Sequence, residues 1–327
     1  MEHIQLYSTG GLRLAGDFYS PAPADGVAPA AGPAVLFALG FGSVKGQVRS
    51  WADRLVAAGF CVLVLDYRGF GDSEGTRGRV VPQEQVEDLR AGLTYLAHRE
   101  EVDPHRIALL GVSTGGAVAV YTAGVDPRVT AVCSIVGWAD GTRHLRYLRR
   151  HHEWLDLLDR VDAARTRRVV DGVDDRVDPD EILLRDPEST RWRRQMVEQF
   201  PDMGFDTTME TAERILEFRP ESMLPLASGA PLLVIHAEHD QLVPVDEAWA
   251  LYRRASEPKR IVIIPDAEHH DVHQGSAFET CIEEVTGWLR THLDTGAGAG
   301  SATSWPTSHH IAQVGGVRRP AAVSGSS

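Results

Sequence analysis

The chain has 327 residues, of which 43% are hydrophobic and 24% are charged, and its formal net charge is −13. This composition is that of a soluble globular protein, and it excludes fibrous, disordered and membrane-spanning classes. The length allows two ordinary domains or one large α/β domain with an insertion. Because the excess of acidic residues repels phosphate backbones, we expect no nucleic-acid partner.

The cysteines and the start of the chain favour a cytoplasmic protein. Cys61, Cys133 and Cys281 are odd in number and lie in apolar segments, which suits buried free thiols in a reducing compartment. Residues 1–11 lack the basic start and apolar run of a signal peptide. No apolar stretch approaches the roughly 18 residues of a membrane span. We therefore expect a cytoplasmic location and no membrane partner.

The chain begins with a predicted β-hairpin and continues with alternating strands and helices. Residues 4–8 and 12–19 flank a turn at Gly10-Gly11. Six short runs rich in Val, Ile and Leu then alternate with amphipathic helices, which is typical of parallel strands buried on both faces. These runs are Ala34 to Leu39, Phe60 to Asp66, Arg106 to Val112, Val129 to Val136, Pro231 to Ala237 and Arg260 to Pro265.

One segment interrupts this alternation. Residues 138–222 contain no strand-like run, and Ala139 to Glu221 carry 15 arginines and 20 acidic residues. We expect a helical insertion packed over the carboxyl edge of the sheet, where ligands of open α/β sheets bind. Its arginines are interpreted as solvated helix faces, with an anion-binding cluster as the alternative. The aromatic candidates for a substrate pocket are Trp138, Tyr147, Trp154 and Trp192.

The predicted organisation has four parts. Residues 1–137 form the first half of an α/β core, residues 138–222 the helical cap insertion, and residues 223–293 the second half of the core. Residues 294–327 are rich in Gly, Ala, Ser and Thr and have no periodic pattern, so we predict a disordered tail there.

The decisive motif is Gly111-Val112-Ser113-Thr114-Gly115, between a predicted strand and a small-residue helix from Ala117 to Ala123. A sharp strand-to-helix turn lifts a serine hydroxyl clear of the sheet, and flanking glycines leave room for it. The helix directs its first N–H groups toward the place where an oxyanion would form. Ser113 is therefore the candidate nucleophile, and a phosphate-cradling turn is the alternative.

A second segment, Gly71-Asp72-Ser73-Glu74-Gly75, matches the same pattern. It lies in a loop, no helical pattern follows it, and carboxylates flank Ser73 on both sides. Negative neighbours oppose a developing oxyanion, so Ser73 is not expected to be the nucleophile.

Two later loops contain partners for a nucleophilic serine, which argues against the phosphate alternative. Asp240 follows the run Pro231 to Ala237 and is predicted to orient an imidazole ring, with Glu238 as its competitor. His269 follows the last run and is predicted to be the general base. The three groups thus occur in the order serine, aspartate, histidine.

The turn after the run Ala34 to Leu39 is expected to supply a second oxyanion donor. The backbone N–H groups of Phe41 and Thr114 would converge on one point. The glycines near Phe41 match no nucleotide-binding fingerprint, so no nucleotide cofactor is expected.

Several further side chains beside His269 raise a metal site as a weaker interpretation. His269, His270, Asp271 and His273 are close in sequence, but they lack other ligand-spaced partners. We therefore predict no metal at this loop.

Together these segments resemble the α/β-hydrolase superfamily from about Leu12 to Leu293, most closely its esterase, dienelactone-hydrolase and serine-aminopeptidase-like branch with a helical cap. The resemblance implies an α/β-hydrolase fold, no cofactor and no metal. The chain departs from it where many members have His-Gly and this sequence has Leu39-Gly40. The resemblance rests on the motif around Ser113, the loop Gly69-Phe70-Gly71-Asp72-Ser73 after Asp66-Tyr67-Arg68, and the order Ser113, Asp240, His269.

These features predict a carboxylesterase-like serine hydrolase that cleaves an ester, lactone or thioester of a small molecule through an acyl-enzyme. The alternatives with the same side chains are an amide or carbon–carbon bond hydrolase and an acyltransferase. An alternative from another class is a ligand-binding protein that retains the fold without catalysis. The sequence leaves the oligomeric state open, including a homodimer.

Overall fold

The computed structural model describes residues 1–22, 31–227 and 229–293. An eight-stranded sheet has the order β1-β2-β4-β3-β5-β6-β9-β10, and β7 pairs with β8 in a separate two-stranded sheet. The strands are β1 (Glu2–Tyr7), β2 (Arg13–Tyr19), β3 (Gly32–Ala38), β4 (Cys61–Leu65), β5 (Val102–Val112), β6 (Val129–Ile135), β7 (Arg176–Val177), β8 (Thr207–Thr208), β9 (Leu232–Ala237) and β10 (Lys259–Ile264).

The six predicted apolar runs are the parallel part of the large sheet, so this prediction is confirmed. The predicted N-terminal hairpin is also confirmed, because β1 and β2 pair in antiparallel fashion and β2 adds to β4 at one edge. Every residue of β4 is buried, as expected for a strand covered on both faces.

Helices cover the sheet in two groups. The first and last helices pack on each other, and so do the second and third. In the part of the chain that the structure describes, no helix is long and apolar enough to cross a bilayer. The helices are α1 (Arg49–Ala57), α2 (Pro82–Ala97), α3 (Thr114–Val125), α4 (Gly141–Tyr147), α5 (His151–Val170), α6 (Pro187–Gln199), α7 (Met209–Leu216), α8 (Val245–Arg254) and α9 (Gly275–Leu293).

The segment between β6 and β9, where a helical insertion at residues 138–222 is predicted, contains α4 to α7. The expectation that it contains no strand is wrong, because β7 and β8 form an antiparallel pair. Each of these strands has only two residues, which is too short for alternating hydrophobicity to appear in the sequence. The predicted disordered tail, residues 294–327, lies outside the described residues.

A histidine is buried where this insertion joins the core. His144 on α4 is 2% exposed, and its ring stacks on Trp138 with centroids 5.6 Å apart. Burial is the main cause that lowers the pKa of His144 to about 3. Nδ1 has no hydrogen-bond partner among the described residues. The ring is therefore neutral and acts as core material.

His144 makes the fold sensitive to acid. An unfolded histidine titrates near its ordinary pKa of about 6.5, so below that pH the unfolded state binds a proton that folded His144 does not. The contribution of His144 to the free energy of unfolding is therefore fully present above about pH 6.5, and it is lost as the pH decreases toward the folded pKa. When the pH is lowered from 7.5 to 5, the free energy of unfolding of His144→Phe should fall by about 2 kcal/mol less than that of the wild type. Urea unfolding at the two pH values measures this difference.

The matched control for this experiment is His105→Gln, because His105 is exposed. It should keep the acid dependence of the wild type. An equal loss of stability in His144→Phe and the wild type would show that His144 is not neutral in the folded protein.

Candidate active site

Ser113 lies at a sharp turn between β5 and α3. Its backbone has φ 57° and ψ −125°, a conformation that is strained for any residue with a side chain. The turn is tight because a Cβ at Gly111 would lie 2.1 Å from the Gly115 carbonyl oxygen, and one at Gly115 would lie 2.1 Å from that of Ala38. The strand end, the helix start and the end of β3 therefore meet without intervening side chains.

The structure brings Ser113, Asp240 and His269 together. His269 Nε2 is 3.0 Å from Ser113 Oγ, and His269 Nδ1 is 2.6 Å from Asp240 Oδ2. A carboxylate only accepts hydrogen bonds, so Nδ1 donates to Asp240 and Nε2 accepts from the serine hydroxyl. The three residues follow β5, β9 and β10, and the carboxyl ends of parallel strands share one edge of the sheet. Side chains remote in sequence thus form one hydrogen-bonded chain.

Backbone groups hold the Asp240 carboxylate in place. The N–H groups of Leu242 and Val243 donate to its Oδ1 at 2.9 and 2.7 Å. The Glu238 carboxylate lies elsewhere, since it is exposed and accepts from the Asp266 N–H at 3.1 Å. The structure therefore places Asp240, and not Glu238, against the His269 ring.

Sequence analysis missed a second histidine behind Asp240. His236 on β9 is fully buried, its Nε2 donates to the Val243 carbonyl at 2.9 Å, and the same nitrogen lies 3.5 Å from Asp240 Oδ2. Burial lowers the pKa of His236, so its ring is neutral. The signal for it was available, because a polar residue inside a fully apolar buried strand needs a partner.

The hydroxyl of Ser73, in the second serine motif, is engaged by the backbone. The Ala15 N–H donates to Ser73 Oγ at 2.9 Å, and this hydroxyl donates to the Asp66 carbonyl at 2.6 Å. Ser73 therefore joins its loop to β2 and to the end of β4, and no imidazole within the described ranges forms a hydrogen bond with it.

A buried carboxylate anchors the loop that follows β3. Asp66 is 0% exposed, and its Oδ1 accepts from the Lys45 N–H at 2.7 Å. Its Oδ2 accepts from Lys45 Nζ at 2.8 Å and from the Asp72 N–H at 3.1 Å. Leu39, which stands where many members of the superfamily have histidine, is buried in the core. Here the Lys45–Asp66 pair fixes this loop.

The two predicted oxyanion donors, Phe41 and Thr114, lie in backbone segments that meet at the end of β3. Gly115 packs directly on the end of β3, which brings the start of α3 next to the loop that contains Phe41. No described residue accepts a hydrogen bond from the backbone N–H of Phe41 or Thr114. Their role as oxyanion donors therefore stays a prediction.

A cavity of about 60 Å³ opens above Ser113. The insertion contributes Leu183, Arg185 and Trp192 to its wall, beside Phe41 and His269 from the core. Sequence analysis did not single out Leu183 or Arg185. No local signal distinguishes Arg185 from the other arginines of the insertion.

The structure corrects the expectation for three of the four aromatic pocket candidates, since only Trp192 lines this cavity. Trp138 is buried in the core, where its Nε1 donates to Thr114 Oγ1 at 3.5 Å. Tyr147 is 51% exposed, and Trp154 lies under the Arg146 guanidinium. In this charged insertion, composition did not indicate which face of each helix points toward the site.

The histidines that raised a metal site pack on an aromatic ring. The His270 and His273 rings stack on Trp192, with centroids 4.0 and 5.7 Å away. Burial, followed by the charge of His269, lowers the pKa of His273 to about 4 and that of His270 further. Both rings are neutral and form part of the cavity wall.

Comparisons with known proteins agree with this architecture. The mostly parallel sheet and the serine turn at its carboxyl edge define an α/β hydrolase. The chain belongs to the serine aminopeptidase S33 family, whose model matches residues 30–274.

Three similar proteins illustrate the match. A 31.7 kDa Escherichia coli protein from the traX–finO intergenic region is 29% identical over 80% of this chain and 91% of its own length. The thiohydrolase AneE of Aspergillus aculeatus is 28% identical over 86% of this chain and 90% of its own. The structure of DcsB with its substrate analogue superposes with a TM-score of 0.77 at 21% identity, over 90% of this chain and 99% of that one. At this identity the superposition establishes the fold alone.

The Lys45–Asp66 pair predicts a loss of stability on substitution. Lys45→Met removes the Nζ hydrogen bond and leaves the buried Asp66 carboxylate with backbone donors only. We expect the free energy of unfolding to fall by about 2–3 kcal/mol, measured by urea denaturation.

Lys259→Met is the matched control for Lys45→Met, because Lys259 is the other lysine of the chain. In the described part of the chain its Nζ donates to the Ala255 carbonyl and forms no ion pair. Lys259→Met should lower the free energy of unfolding by less than about 1 kcal/mol. Equal losses in both variants would contradict the anchoring role of the buried pair.

Proposed function

We propose that the protein is a serine hydrolase that cleaves an ester, lactone or thioester of a small molecule through an acyl-enzyme. The observation that carries this proposal is the hydrogen-bonded chain Ser113–His269–Asp240 at the base of one cavity. A binding protein has no need of a strained serine held against an imidazole.

Each group has a defined part in the proposed reaction. The Ser113 oxygen attacks the substrate carbonyl while its proton passes to His269 Nε2. Asp240 keeps the other imidazole proton on Nδ1 and stabilises the imidazolium. The N–H groups of Phe41 and Thr114 bind the oxyanion. His269 then protonates the leaving group, and it later takes a proton from the water that releases the acid.

The class of bond is supported by one relative and by the chemistry of the site. AneE, similar over most of this chain, is a thiohydrolase. The same three groups also serve amide and carbon–carbon bond hydrolysis and acyl transfer, and the walls of the cavity decide among these reactions. Rates on an ester, a thioester and an amide of one acyl group distinguish the hydrolytic classes.

Buried free thiols at Cys61, Cys133 and Cys281 support a cytoplasmic location.

The nucleophile is tested by covalent labelling. A fluorophosphonate should react stoichiometrically with Ser113, mapped by mass spectrometry, and Ser113→Ala and His269→Ala should both remove the label. Ester hydrolysis by Ser113→Ala should fall by about 10³-fold or more.

Ser73→Ala is the matched control for the labelling experiment, because it changes the serine of the other motif. It should keep full labelling while losing some stability. Folded protein that takes up no label at Ser113 would instead favour the non-catalytic binding protein.

The orienting carboxylate is tested by a pair of neutral substitutions. Asp240→Asn keeps the shape of the side chain but loses the charge that holds the imidazole proton on Nδ1, so kcat should fall by about 10²- to 10⁴-fold. Glu238→Gln removes a nearby exposed charge and should change kcat less than about threefold. A larger effect of Glu238→Gln than of Asp240→Asn would reverse the assignment of the acid.

A further inference from the structure

The wall of the cavity above Ser113 contains a buried guanidinium. Arg185 lies between the short turn that ends at Glu181 and the start of α6, and its side chain is only 9% exposed. It lines the same cavity as Ser113 and His269. A buried cation beside a nucleophile needs a reason, because removing a charge from water costs several kcal/mol unless it is paired.

The pairing of Arg185 within the protein is incomplete. Asp180 pairs with Nη1 of Arg185, and the same carboxylate oxygen lies 3.7 Å from Nε of Arg193. One carboxylate thus serves two guanidinium groups. Nη1 of Arg185 and Oδ1 of Asp180 are both buried, and neither makes a regular hydrogen bond among the described residues. Beyond Asp180, the described residues provide no ion-pair partner for this guanidinium, although it has five N–H donors.

The electrostatics agree with an excess of positive charge at this point. Burial, and after it the charge of Arg193, lower the pKa of Arg185 to about 9. Asp178 and Asp186 act in the opposite direction and do not restore it. The group is still protonated at neutral pH, and its charge contributes to keeping His270 neutral. An anion bound in the cavity would accept hydrogen bonds from the Arg185 guanidinium and balance its charge.

The other side chains of the wall restrict where an anion can lie. Phe41, Leu183 and Leu242 are apolar, and the stacked rings of Trp192 and His270 carry no charge. A negative group on a bound molecule is therefore favoured only beside Arg185. The planar fork of arginine suits a carboxylate, which accepts two parallel hydrogen bonds.

We propose that Arg185 binds a carboxylate at the distal end of the acyl group, so that the enzyme prefers esters or thioesters of short dicarboxylic acids to uncharged acyl substrates. This inference rests on the proposed function, because it places the acyl carbonyl at Ser113. The acyl chain then extends from Ser113 to Arg185, both of which line the cavity.

The test compares two thioesters that differ in charge and little in shape. The N-acetylcysteamine thioesters of glutarate and of 5-oxohexanoate carry a terminal carboxylate and a terminal methyl ketone on the same carbon chain. The wild type should show a kcat/KM about 10- to 100-fold higher on the glutaryl substrate, as expected for a charge-assisted hydrogen bond in a buried site. Arg185→Met should abolish this preference, so that the ratio of kcat/KM between the two substrates falls to within about threefold of one.

The control variant is Arg194→Met. Arg194 is exposed on α6, the helix that follows Arg185, and the substitution removes one positive charge from the surface. It should keep the preference of the wild type. Arg185→Gln is a second neutral variant for the case that Arg185→Met does not fold. It should also lose the preference for the glutaryl substrate. Fluorophosphonate labelling of Ser113 in each variant verifies that the site is assembled.

The outcomes separate the two proposals. Wild-type protein that labels at Ser113 but treats the two thioesters alike, or hydrolyses neither, overturns the carboxylate site and leaves the serine hydrolase intact. A preference that survives in the neutral Arg185 variants, or that disappears equally in Arg194→Met, also overturns the role of Arg185. Folded protein that does not label at Ser113 overturns the proposed function and this inference with it.

Discussion

The site depends on one strained turn. Ser113 has a positive φ, and this conformation persists because β5, α3 and the end of β3 leave no alternative volume for the chain. The Gly115 backbone in contact with Ala38 is what brings the start of α3 beside the loop of Phe41. Ser113, the imidazole of His269 and the loop residue Phe41 thus line one cavity as a consequence of backbone packing.

The groups around this turn are held by buried polar networks. Asp240 accepts two backbone N–H groups and has the neutral ring of His236 behind it, so its remaining oxygen is directed at His269. Asp66 fixes the opposite side of the cavity through Lys45. Networks of this kind rigidify a site only when each member has its partners, which both carboxylates have here. Positioning therefore comes from residues that need not touch a substrate.

The insertion forms part of the cavity wall above Ser113. Its residues close the cavity over Ser113, and Phe205 packs on both Phe41 and Phe70 of the core. Two further ion pairs tie it down, since Arg79 of the core pairs with Glu210 and Arg143 of the insertion with Glu247. In the proposed reaction, the reacting groups therefore lie at the sheet edge, and we propose that selectivity comes from the insertion.

The sequence by itself determined the six parallel strands and the hairpin, and it predicted Ser113 over Ser73 as the nucleophile, because hydrophobic periodicity and turn chemistry are local properties. It also placed Asp240 and His269, since each follows a recognisable strand and parallel strands end at one edge. Only the tertiary structure decided which insertion residues reach the cavity, that Trp138 and Tyr147 do not, and that Arg185 is buried there. One arginine among many differs from the others only in what packs around it, and packing between distant segments has no local signature.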